Sequence, residues 1–149
     1  MTAIAAGIEE MTLTIKEETH VRAPIAATFA ALLEEIGPSN EGEPGKPMPF
    51  TLEAWPGGRW FRDLGNGNGH LWGHVQAIKR PTLLEITGPL MMSFAVSSNL
   101  QYRLKETGGG TSITLTHTAL GLFPEGYREA LSQGWPALFE RIRRRAEKA

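Results

Sequence analysis

The sequence has no cysteine among its 149 residues. That excludes a disulfide framework, a thiolate metal site and a cysteine nucleophile. Charge of one sign is missing too. Fifteen Lys and Arg stand against sixteen Asp and Glu, a net of −1, so no general field favours nucleic acid or an anionic membrane. No apolar run approaches the ~18 residues that mark a membrane helix. Met1 to Glu10 carries acids where a secretory leader has a basic region, so no signal peptide is expected. What remains is an ordinary globular balance, 41% hydrophobic and 21% charged, at a length suited to one core. The expectation is a cytoplasmic protein with a flexible N-terminal tail over residues 1–10 and a single domain over residues 11–149.

From Met11 the pattern alternates. Leu13, Ile15 and Val21 share one parity, against Thr12, Thr14, Lys16, Glu18, His20 and Arg22. Period two predicts a strand with one face on a core. Pro24 is tolerated at a helix start. Ile25, Phe29, Leu32, Leu33 and Ile36 then recur at helical spacing until Gly37-Pro38. Residues 37–49, GPSNEGEPGKPMP, are too rich in proline and glycine for regular structure. They read either as a loop over the rim of a site or as a plain surface connection.

From Phe50 to Leu120 short strands succeed one another, over Phe50–Trp55, Arg59–Asp63, His70–Lys79, Leu83–Thr87, Ser97–Thr107 and Thr111–Leu120. Turn sequences separate most of them. Residues 88–96 are instead an apolar connection. Such spacing predicts an antiparallel meander. The glycines of 65–69 have strands on both sides, which fits a hairpin turn and not a phosphate cradle, since that needs a helix after it. Tyr127, Leu131, Trp135, Leu138, Phe139 and Ile142 then form one long helical stripe. Pro136 predicts a kink in it. Arg141, Arg143, Arg144, Arg145 and Lys148 crowd its last turns, where cations complement the helix dipole. The order is therefore α+β: strand, helix, about six antiparallel strands, and one long helix lying across a curved sheet. A curved sheet that wraps a helix commonly leaves a ligand cavity.

Several segments carry a resemblance: VRAPIAATFAALL (21–33), WPGGRWFRDLGNGNGHLWGHVQAI (55–78), LLEITGPL (83–90), LQYRLKETGGGTSITLTH (100–117) and GWPALFERI (134–142). In this order they resemble the bacterial activator of heat-shock-protein-90 ATPase homologue-like family, of the START-like or SRPBCC superfamily. The resemblance covers residues 11–147. It implies a helix-grip fold, a curved antiparallel sheet of about six to seven strands around a long C-terminal helix. It implies a domain type that in other members binds lipids, polyketides or other apolar molecules, and in a minority acts as a cyclase or dehydratase. Its second short helix, present in many relatives, is replaced here by the stretch 37–49.

Strand parity selects the inward residues. Ile113, Leu115 and His117 share a face, as do Leu100, Tyr102 and Leu104. On the strand from His70 both parities carry apolar residues, and Trp72 with His74 is taken as the inward set. Trp60, Met91, Met92, Phe94, Trp135 and Phe139 complete a lining that suits an adaptable apolar pocket, and equally a filled core. The candidate ligand-binding set is Trp60, Trp72, His74, Met91, Phe94, Tyr102, His117, Trp135 and Phe139. His117 would orient a ligand, act as a general base, or be a core histidine satisfied by a neighbour. Glu53 and Glu85 are the carboxylates that could serve it, though Glu85 has outward parity. No metal or cofactor is implied: His70 and His74 on one strand stand about 13 Å apart, too far for one zinc ion. Three readings stand at this point. They are an apolar-ligand binding protein without catalysis, a lyase or cyclase using His117, and a module that engages a chaperone ATPase.

Overall fold

The computed structural model describes residues 7–90 and 94–148. After a short 3-10 turn at Ile8–Met11 come β1 (Thr12–Val21), α1 (Ile25–Ile36), β2 (Thr51–Leu52), β3 (Arg59–Gly65), β4 (Asn68–Lys79), β5 (Leu83–Gly88), β6 (Val96–Thr107), β7 (Gly110–Gly121) and α2 (Tyr127–Lys148). All seven strands form one antiparallel sheet in the order β1-β7-β6-β5-β4-β3-β2. After β1 the chain crosses through α1 to the far edge. It then meanders back until β7 lies beside β1. The strand expected over Phe50–Trp55 is reduced to Thr51–Leu52.

Local chemistry sets the boundaries. The Thr28 hydroxyl donates to the Pro24 carbonyl at 3.0 Å, reinforcing the first turn of α1. Its last turn closes where the Gly37 N–H donates to Glu34. A Cβ at position 37 would sit 2.7 Å from the Leu33 carbonyl oxygen, so the turn has room only for glycine. The Trp60 indole N–H donates to the free Ile36 carbonyl at 2.7 Å and satisfies one of the orphan acceptors of the helix end.

The parity assigned to β1, β6 and β7 holds in the structure. Leu13 and Val21, then Leu100, Tyr102 and Leu104, then Ile113, Leu115 and His117 are all buried on one face. α1 contributes Phe29, Leu32 and Ile36 to that core, and α2 contributes Leu138, Phe139, Ile142 and Ala146. Each fully buried large apolar side chain contributes about 2 kcal/mol by removal from water. A smaller cluster of Leu13, Val96, Ala119, Tyr127 and Leu131 sits at the start of α2. α2 runs unbroken through Pro136.

β4 departs from simple alternation. Trp60 pairs with Gly73 and Phe61 with Leu71, so Trp72 is an extra residue in β4. Such a bulge resets which side chains face inward. Gly73 and Val75 are buried, whereas His74 and Gln76 are exposed. The placement of His74 inside is therefore corrected: it points to solvent because the bulge at Trp72 shifts the strand by one residue.

Candidate functional site

The aromatic side chains of one end of the sheet form the floor of a cavity. Phe50, Trp60 and Trp72 touch in a triangle, with centroids 5.3, 4.7 and 5.3 Å apart. The bulge that expels His74 leaves Trp72 turned inward and half-buried against this group. Facing it across open space is the first half of α2, with Leu131, Gly134, Trp135 and Leu138. The enclosed volume is about 300 Å³, and its walls are mostly apolar.

The third wall is the proline- and glycine-rich segment after α1. It has no helix or strand of its own, yet it is pinned. Met48 N–H donates to the Asn40 carbonyl at 2.8 Å, and the Asn40 amide returns a bond to the Met48 carbonyl at 3.1 Å. Phe50 N–H donates to the Gly37 carbonyl at 3.0 Å. The Gly45 N–H is held by the Glu41 carboxylate at 3.0 Å. These bonds fold residues 40–48 back on themselves and present Asn40, Glu41, Pro44 and Met48 to the cavity.

His117 and Tyr102 lie deeper. Both are fully buried on the inner face of adjacent strands. Leu100 pairs with His117 and Tyr102 with Leu115, so the two polar residues are diagonal neighbours on one face. Among the described residues neither nitrogen of His117 has a hydrogen-bond partner, nor has the Tyr102 hydroxyl. Burial lowers the His117 pKa to about 4, so its ring is neutral at pH 7. Burial also pushes the Tyr102 phenol up, against a smaller opposing effect of the Arg141 charge. The edge of Trp135 meets the His117 ring at 5.7 Å. Trp135 therefore stands between the cavity, which it lines, and the histidine behind it, and its own indole nitrogen has no partner among the described residues.

Of the nine residues selected from sequence, Trp60, Trp72 and Trp135 border the cavity. Tyr102, His117 and Phe139 belong to the layer behind it. His74 is outside, as described. Phe94 is corrected as well: it is 40% exposed and packs edge-on against Tyr127 at 6.0 Å, within the irregular connection before β6. Met91, with Met92, lies outside the described residues. Glu53 is engaged by the Arg59 guanidinium at 2.8 and 2.9 Å, which holds its carboxyl well below the usual carboxylate range. Glu85 accepts bonds from Asn99 and Gln101. Neither carboxylate bonds to His117.

Arg141 was not anticipated as part of the site. It follows Leu138 by one helical turn, and that position, a charge beside an apolar stripe, was its one sequence signal. Its Nε donates to Glu35 at 2.9 Å, and Arg145 reaches the other oxygen of the same carboxylate at 2.6 Å. Glu35 is only 4% exposed. This buried carboxylate, clamped by two arginines, fastens α1 to the second half of α2.

An antiparallel sheet closed by a long C-terminal helix, with a hollow between them, defines the helix-grip fold. The sequence profile of the Activator of Hsp90 ATPase homolog 1-like protein family matches residues 44–147, and the chain belongs to that family. No curated protein matches the chain significantly. Solved structures share the fold. An uncharacterized protein from Rhizobium leguminosarum is 19% identical with a TM-score of 0.69, covering 93% of this chain and 96% of its own. Protein MLL2253 from Mesorhizobium loti is 21% identical with a TM-score of 0.65, over 92% and 98%. The di-domain ARO/CYC StfQ of the steffimycin biosynthetic pathway is 12% identical with a TM-score of 0.65, over 95% of this chain and 52% of that one.

Proposed function

We propose that the protein is a non-catalytic binding protein for a small, largely apolar molecule. The single observation that carries this reading is the open space of about 300 Å³ walled by Trp72, Trp135, Met48 and Leu131. Indole and thioether side chains offer polarisable contact that adapts to different shapes. The Trp135 nitrogen is a donor without a partner among the described residues on the wall of that space, and His117 and Tyr102 supply further polar atoms if the indole swings aside. The binding unit is the domain of residues 11–149, working in the cytoplasm, with segment 40–48 as its lid.

A screen of uncharged aromatic and aliphatic compounds by thermal shift tests the reading. A ligand at a hundred times its Kd stabilises the folded state by about 2.7 kcal/mol. A raised melting temperature with a subset of compounds is the expected result; none with any compound would contradict it.

The second reading, a lyase or cyclase, draws on the likeness to StfQ. It requires an acid or base within ~3 Å of the His117 imidazole. Among the described residues neither imidazole nitrogen has a hydrogen-bond partner, which favours binding over catalysis. A chaperone ATPase partner rests on the family's name alone, and a pull-down with the cell's own heat-shock-protein-90 homologue tests it.

A further inference from the structure

A second recess opens beside the apolar cavity. It is a shallow, open recess of about 500 Å³ walled by Glu35, Glu41, Arg141, Arg144, Arg145 and Lys148. The two spaces share Glu41 and Arg141 as common walls. One is oily and the other is ionic, with four cations facing two carboxylates.

The use already made of these charges is uneven. Glu35 is fully engaged by Arg141 and Arg145, and Glu41 is turned to the Gly45 N–H. Arg144 approaches Glu140 only at 4.0 Å with its side chain 63% exposed. Lys148 has no ion pair among the described residues. Arg141 is the telling group. Its side chain is only 12% exposed, yet of its five N–H donors only the one on Nε meets a protein acceptor among the described residues. A guanidinium whose stem is largely buried and whose planar end opens unbonded onto the recess is matched in geometry to a carboxylate.

We infer that the ligand is an amphipathic carboxylate. Its apolar body lies between Trp72 and Trp135, and its anionic head is held by the free end of Arg141, with Arg144 and Lys148 supplying field from the rim. This rests on the binding reading above and adds to it the chemistry of the head group. Glu41 stands at the junction and disfavours an anion there, so the head sits on the arginine side of it.

Paired probes of equal chain length, decanoate and decanol, separate the two claims in calorimetric titrations. Decanoate binds the protein about tenfold more tightly, the scale of one charge-assisted contact. That preference weakens as salt is raised and shrinks several-fold in an Arg144→Ala/Lys148→Ala variant. Both side chains are exposed, so the fold survives the change, and unaltered thermal melting of the variant checks this. Equal affinity for the two probes overturns the inference and leaves the cavity reading standing. Binding of neither overturns both. A preference for decanoate that is unchanged in the double variant removes Arg144 and Lys148 from the site, and overturns the inference as well.

Discussion

The two halves of α2 are built for different ends. From Leu138 onward, Leu138, Phe139, Ile142 and Ala146 fill the main core, while Arg141 and Arg145 close on a buried carboxylate of α1. Before Pro136, Tyr127 and Leu131 join only a small cluster, and Gly134 and Trp135 face open space. Polar burial differs in the same sense. Glu35 has both oxygens bonded, whereas His117, behind the first half, has neither nitrogen bonded among the described residues. A helix anchored at one end can border a hollow at the other. Stability is concentrated in the second half, and the first half supplies mainly the apolar wall of the candidate site.

The contrast is tested most severely by truncation. Ile142→Ala leaves a void in a closed core and costs about 4 kcal/mol in denaturant unfolding. Leu131→Ala removes atoms that already border open space, so the cavity penalty is smaller and the cost nearer about 2 kcal/mol. Equal losses would erase the distinction between the halves. The clamp comes next. Glu35→Ala leaves Arg141 buried without its counter-charge and costs about 3 kcal/mol, read as a lowered urea midpoint with an unchanged slope.

The unpartnered histidine makes an opposite kind of prediction. Its folded pKa, about 4, lies below the ordinary 6.5 of a histidine. The neutral ring is therefore favoured in the fold, and the unfolded chain takes up a proton first. His117 imposes no penalty above pH about 6.5, and stability is lost as pH falls from there towards 4, by up to about 1.4 kcal/mol per unit. Urea unfolding of the wild type and a His117→Leu variant at pH about 7 and about 5 isolates this effect. The variant gains on the wild type by up to about 2 kcal/mol at the lower pH, and a constant difference would mean that the ring titrates normally. The smallest effect is at the hollow itself. A Cβ at Gly134 meets no atom within 4 Å, so Gly134→Ala raises stability by about 0.5–1 kcal/mol through helix propensity alone.

Much of the fold was legible because burial follows simple periods. Alternation identified the inner faces of β1, β6 and β7, and the i, i+4 stripe identified both halves of α2. The site was less legible where period is interrupted. At β4 an extra residue at Trp72 reverses the parity over Gly73 to Val75, a second shift between Val75 and Ala77 restores it, and no alternation rule detects either. Phe94 lies in an irregular connection with no period to read. The partnership of Glu35 with Arg141 joins residues 106 positions apart on two helices, a contact set by packing and not by either local pattern. The role of segment 40–48 as a cavity wall was visible as unusual length and composition, but its Asn40–Met48 pinning depends on backbone geometry that composition does not encode.

The central claim is that the space beneath Trp135 accepts an apolar guest. A fluorescence titration with the uncharged dye N-phenylnaphthylamine, on the wild type and on Gly134→Phe, tests it most directly. The added ring grows from a position with free space around it and occupies the cavity, leaving the helix intact. The account predicts saturable binding at one site in the wild type and its loss in a variant that melts no lower. Dye binding of equal strength in both, or in neither, would contradict it.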